Sequence, residues 1–124
     1  MISIFESLIC TMAKIIKIPS AFVYESKVVG VSHSNADGTS RQEIIRREVA
    51  EEDPLFLELE PDNEFDPNAV KVLSKEKNQI GYLKTELAEQ VRSALVNQTT
   101  VYARALWVNG EKMLGVGIRI ELVS

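Results

Sequence analysis

The residue types best able to do chemistry gather in one decapeptide, PDNEFDPNAV, from Pro61 to Val70. Two prolines fix φ, and Asp62, Asn63, Asp66 and Asn68 can hydrogen-bond to their own backbone, so the segment predicts a rigid turn. Such a turn presents the Phe65 ring beside the Asp66 carboxylate, a stacking face next to a hydrogen-bond acceptor. Asx and Pro residues also make turns with no further role, and Phe65 can equally cap a core; the residues alone leave both readings open. Asp62, Asn63 and Asp66 lack the alternating oxygen spacing and the distal bidentate Glu of a calcium loop. Asp62 and Asp66 without a clear third ligand make a poor two-metal hydrolytic site. Nucleophilic catalysis is no better served. His33 is the single histidine and Cys10 the single cysteine, which excludes a zinc finger and a disulfide framework and leaves His33 as the one base a triad could use. No catalytic residue, metal or cofactor is expected. His33, between Ser32 and Ser34, reads as a rim histidine. Lys84 stands at the start of a helical pattern, where the macrodipole favours anions, so a cation there can help backbone N–H groups hold a phosphate.

These residues need a scaffold, and 124 residues with 45% hydrophobic and 26% charged side chains suffice for one compact core. A net charge of −4 argues against a protein that coats nucleic acid through its overall charge. The charge is uneven: residues 1–62 carry 6 basic and 11 acidic side chains, residues 63–124 carry 8 and 7. No basic residue lies between Arg47 and Lys71, and that stretch repels phosphate unless the fold separates it from a binding surface. Met1 to Ile18 is apolar but interrupted by Glu6, Lys14 and Lys17. It is too broken for a membrane span and wrongly flanked for a secretory signal. Ile4, Leu8, Met12 and Ile15 or Ile16 recur at helical spacing, so residues 1–26 predict an apolar arm or helix, with Cys10 a small buried hydrophobe and the cytoplasm as the compartment.

Past that arm the pattern predicts strands alternating with two helices. KVVGVS (Lys27 to Ser32) reads as a buried strand, and Asn35 to Gly38 as a turn. Ser40 and Glu43 form a capping box for a helix running to about Val49, its apolar face Ile44, Ile45 and Val49. Arg41, Arg46 and Arg47 read as its solvated face, paired with Glu43 and Glu48. PLFLELE (54–60), NAVKVLS (68–74) and QIGYL (79–83) alternate as strands. Thr85 is placed as the cap of a helix with Leu87, Val91 and Leu95 on one stripe. TVYARALWV and KMLGVGIRIELV flank Asn109-Gly110, a hairpin signal. Trp107 and Tyr102 read as packing, and Gly81, Gly115 and Gly117 as bends or bulges. The expected fold is mainly β: a small six-stranded β-barrel with two short α-helices plugging its ends.

VVGVSHSN…DGTSRQE, LELEPDNEFDPNAVKV, QIGYLKTELAEQV and LGVGIRI together resemble the HIRAN domain. That module is found at the N-terminus of some fork-remodelling DNA translocases and as stand-alone bacterial and phage proteins. The resemblance runs from about Lys27 to Leu122, giving a domain at 27–124. It implies a barrel similar to an OB-fold or SH3-like barrel and binding of the 3′ end of single-stranded DNA. In the best-understood members the terminal base lies between aromatic side chains, and a carboxylate of the Pro-Asp-Asn turn accepts a hydrogen bond from the free 3′-hydroxyl. By this resemblance Phe65 takes one aromatic position and Asp66 the carboxylate, with Asn68 in the same motif. His33 stands where a second aromatic is expected and Ser32 where those members carry an arginine. Tyr82 and Lys84 match the segment bordering the pocket and its phosphates, and Thr85 replaces a second lysine. The chemistry for a strand end thus survives better than that for gripping the backbone.

The leading expectation is a non-enzymatic module for the 3′-hydroxyl end of single-stranded DNA, in a repair, replication-fork or defence setting. The chain has no Walker-type loop, so any enzymatic step belongs to a partner such as a helicase or nuclease. A protein-interaction adaptor that keeps the barrel but has lost DNA binding is the alternative. It is supported by the acidic segment and the missing cations, with the apolar arm as contact surface.

Overall fold

The computed structural model describes residues 21–123, so the expected helix over the N-terminal arm and the burial of Cys10 lie outside the described residues. Among these residues the chain forms, in order, β1 (Ala21–Lys27), α1 (Arg41–Glu48), β2 (Phe56–Leu59), β3 (Val70–Leu73), β4 (Gln79–Tyr82), α2 (Thr85–Val96), β5 (Thr100–Asn109) and β6 (Gly115–Val123). The strands make two antiparallel three-stranded sheets, β1-β6-β5 and β2-β3-β4. No continuous ladder closes them into the expected barrel. They meet at two corners through isolated bridges, Val29↔Tyr82 and Pro54↔Arg104. Beside the second bridge, Leu55 N–H donates to Ala103 O at 3.0 Å and Ala105 N–H to Asp53 O at 2.9 Å.

The first strand lies earlier than the pattern suggests. Ala21–Lys27 pairs with β6 from Ala21↔Val123 to Lys27↔Gly117, whereas Val28 to Ser32 is not a strand beyond the Val29 bridge. Gly30, at φ +72, turns the chain away from β4 immediately after that bridge. Of the strand-like apolar run only Val28 is buried, because it crosses from β6 to β4 between the two sheets, at 1% exposed. Gly81 permits this crossing, since a Cβ there would stand 2.4 Å from Val29 O and 2.6 Å from Val28 Cγ1.

Helix α1 begins as expected. The Ser40 hydroxyl accepts from Glu43 N–H at 3.2 Å, and Ile44, Ile45 and Val49 are buried. Arg46 and Arg47 are exposed and pair with Glu43 and Glu48, both at 3.1 Å. Arg41 departs from the expected solvated face and is buried. Helix α2 buries Leu87 and Val91 of the expected stripe, with Leu95 half-buried, but its N-cap is Lys84, not Thr85, and no side chain caps it. Strands β5 and β6 form the expected hairpin, joined by a loop from Gly110 to Leu114 rather than a tight Asn-Gly turn. Trp107 packs on Gly117, where a Cβ would meet the indole at 2.3 Å, and β5 bulges between Ala105 and Trp107. The core between the sheets and helices centres on Ile45, Val70, Val72, Ile80, Val91, Ile118 and Ile120.

Candidate functional site

The decapeptide after β2 folds into a turn stiffened by its own side chains. Asn63 Oδ1 accepts the N–H groups of Phe65 and Asp66, both at 2.9 Å. Asp66 Oδ1 accepts Asn68 N–H at 2.9 Å, and the backbone closes with Asn63 N–H to Glu60 O and Ala69 N–H to Asp66 O. With the N–H groups of Asn63, Phe65, Asp66, Asn68 and Ala69 engaged inside the segment, the turn holds its shape without burying its tip. Phe65 is accordingly 89% exposed and does not cap the core. Asp66 is half-buried, and among the described residues no protein donor reaches its Oδ2.

Beside this turn opens a cleft of about 420 Å³. The turn contributes Asp62, Asn63, Glu64 and Phe65, and Glu60 enters it directly after the end of β2. Tyr82 comes from the last position of β4, held there by reciprocal 2.9 Å backbone bonds with Val29. His33 comes from the loop that Gly30 starts, and Arg41 from the first turn of α1. The expected aromatic set of His33, Phe65 and Tyr82 is thus brought to one place.

Other expected residues are not. Asp66 and Asn68 stand within the turn but do not line the cleft, and Ser32 is exposed outside its lining. Lys84 is exposed at the start of α2 and lines a separate cleft of about 280 Å³ with Tyr24, Glu25 and Glu86.

Two lining residues carry more of the site than the sequence pattern suggests. Glu60 Oε1 accepts from Tyr82 Oη and from Asn63 Nδ2, both at 2.7 Å, and its Oε2 lies 3.4 Å from Lys71 Nζ. Partial burial pushes this carboxyl up, but the donors of Asn63, Tyr82 and Lys71 outweigh it and hold it below its ordinary value. Glu60 is therefore a fixed anion that orients the Tyr82 hydroxyl and braces the turn.

Arg41 is 7% exposed. Its Nε donates to Asn35 Oδ1 and its Nη1 to Gly30 O, both at 2.8 Å, and its guanidinium sits 5.3 Å from the centroid of the Tyr82 ring. A cation in a first helical turn opposes the macrodipole. That is the one sequence signal that marks Arg41 as something other than a solvated side chain.

Among the described residues no three His, Cys, Asp or Glu side chains converge as a metal-binding group. No helix among them is long and apolar enough to cross a membrane. The arrangement offers an exposed ring, two further aromatic faces and mixed polar groups around an open cleft. That suits the recognition of a flat, polar ligand.

A family model described as the HIRAN domain matches residues 22–124. The chain belongs to the HIRAN-domain family. The match starts before Lys27 and so takes in most of β1. The fold of this HIRAN domain is similar to the crystal structure of the HIRAN domain of human HLTF, at 20% identity and TM-score 0.65, covering 82% of this chain and 75% of that one. A crystal structure of a protein from Lactobacillus plantarum is similar at 15% identity and TM-score 0.64, covering 84% and 98%. The solution structure of the HLTF HIRAN domain is similar at 21% identity and TM-score 0.56, covering 86% and 80%. No curated protein sequence matches this chain.

Proposed function

We propose that this HIRAN domain is a non-enzymatic nucleic-acid-binding module that recognises the 3′-hydroxyl end of single-stranded DNA. The observation that carries the reading is the Phe65 ring, 89% exposed on a self-braced turn and bordering a cleft that also holds His33 and Tyr82. A large aromatic face turned to solvent on a rigid support is costly as packing and useful as a base platform. Asp66 supports end recognition: one oxygen fixes the turn and the other has no protein donor among the described residues. A carboxylate accepts from a sugar hydroxyl and repels a terminal phosphate. Ser32, Asn68 and Lys84, which lie outside the cleft lining, complete the proposed contact set, and any strand cleavage or unwinding is left to a helicase or nuclease partner.

The test is fluorescence anisotropy with two oligonucleotides that differ only in a 3′-hydroxyl or a 3′-phosphate. The hydroxyl end binds more tightly, and Asp66→Asn narrows the difference while keeping an oxygen for Asn68 N–H. Equal affinities for the two ends in the unmodified protein overturn the reading. One observation favours a second reading, an adaptor without DNA binding: Glu60, Asp62 and Glu64 all line the same cleft. Under that reading neither oligonucleotide binds even at low salt.

A further inference from the structure

Arg41 is a buried cation without a counter-ion. Among the described residues, no Asp or Glu oxygen forms an ion pair with it, although eight other pairs form across the surface. A guanidinium taken out of water without an anion is costly, and such groups are normally paired or hold a ligand. Its planar fork carries five donors, of which Asn35 Oδ1 and Gly30 O engage two. Arg41 is also one of the residues that line the cleft.

The approach to it is open because residue 30 is glycine. A Cβ there would lie 3.2 Å from Arg41 Nη1 and 3.8 Å from both His33 Cδ2 and Tyr82 Cδ2. Gly30 also holds φ +72, so both its backbone conformation and the space above it require that no side chain stand there.

We propose that Arg41 is the anion-binding residue of this cleft, holding one phosphodiester group with the donors that the protein leaves unengaged. The inference rests on the end-binding reading for the source of that phosphodiester, which is the link behind the terminal nucleoside. Guanidinium suits this task because its fork matches two phosphate oxygens at once. Three carboxylates also line the cleft, Glu60, Asp62 and Glu64. Glu60 is an anion paired with Lys71 at 3.4 Å and hydrogen-bonded by Tyr82 and Asn63, whereas Asp62 and Glu64 are exposed and screened by salt over about 8 Å. A phosphodiester therefore meets one close cation, one carboxylate paired with Lys71 and two screened carboxylates. The Arg41 site restores a cation that the exposed Ser32 does not supply.

Titration of the unmodified protein with a dithymidine monophosphate, followed at the assigned Arg41 Nε–Hε resonance, tests this without any variant. The resonance moves and saturates with the dinucleotide and stays still with thymidine, which has the base and sugar but no phosphate. An unmoved resonance with the dinucleotide, or equal movement with thymidine, overturns the assignment. With longer oligonucleotides, Arg41→Gln weakens binding roughly ten-fold or more and lowers the salt slope by about 0.7, the share of one phosphate contact on a single strand. Arg46→Gln removes the same charge from an exposed position on α1 and leaves the slope nearly unchanged; equal loss from both variants reduces Arg41 to bulk charge and overturns the site. If the hydroxyl end stays preferred while the Arg41 resonance is silent, the anion site fails and the end reading stands. If the resonance responds but both ends bind equally, the end reading fails and the anion site stands.

Discussion

Phe65 and Asp66 are adjacent in sequence but do different work. The phenyl ring is almost wholly in water, so its removal costs the fold little. Phe65→Ala is expected to leave the melting temperature nearly unchanged and to weaken oligonucleotide binding by about 1–3 kcal/mol, roughly 5- to 150-fold. Anisotropy and a thermal melt on the same sample check both halves. A large stability loss with unchanged binding makes Phe65 a packing residue. Asp66 divides its carboxylate between the turn, through Asn68 N–H, and the side left without a protein donor. Asn63 carries the heavier structural duty, tying Phe65, Asp66 and Glu60 together from one side chain.

At the scale of elements, polar clamps from α1 anchor three connecting segments, one of which leads into the cleft. Gln42 bonds both the N–H and the carbonyl of Leu114, at 2.8 and 3.0 Å, and also the carbonyl of Val31 at 3.0 Å. One helix thus fixes the β5–β6 loop and the segment leading to His33. At its other end Glu48 accepts from Ser74 Oγ at 2.7 Å and from Asn78 Nδ2 at 3.0 Å, and Ser74 Oγ in turn accepts the N–H groups of Glu76 and Asn78, both at 3.2 Å. Ser74 is fully buried, so its loss leaves buried groups unpaired. Ser74→Ala is expected to destabilise the fold by about 1–3 kcal/mol, read as a lower urea midpoint with unchanged slope. No change in midpoint would mean that water replaces the hydroxyl in the β3–β4 turn.

For the whole molecule, the shifted carboxylates act in one direction. Burial raises Glu48 and Glu60, but their hydrogen bonds outweigh it. Asp53 is lowered first by Lys75 and then by Ala50 N–H. Each sits below its ordinary value, 4.5 for Glu and 3.8 for Asp. A carboxyl with a lower pKa in the folded state binds fewer protons folded than unfolded, so its stabilisation is complete above the ordinary value and is lost as pH falls through the folded one. The melting temperature is therefore expected to be flat from pH 7 to about 5 and to fall below about pH 4.5. A melting temperature unchanged at pH 3 shows that these bonds contribute nothing net.

The secondary structure was largely legible because it depends on neighbours in sequence. The Ser40–Glu43 cap, the alternation through Leu55, Leu57 and Leu59, the self-bonding Pro-Asp-Asn turn and the α2 stripe are all local patterns. The aromatic members of the cleft were legible too, through the family motif they sit in. Tertiary packing alone decided the rest. Val28 and Val29 read as part of a strand by composition, yet they form the crossing between two sheets: Val28 is apolar because it is buried there, while the exposed Val29 makes a single bridge to Tyr82. Arg41 has the spacing of a surface charge. It becomes a buried one because Gly30, Asn35 and Tyr82, from three different segments, close around it, and no local pattern encodes that meeting.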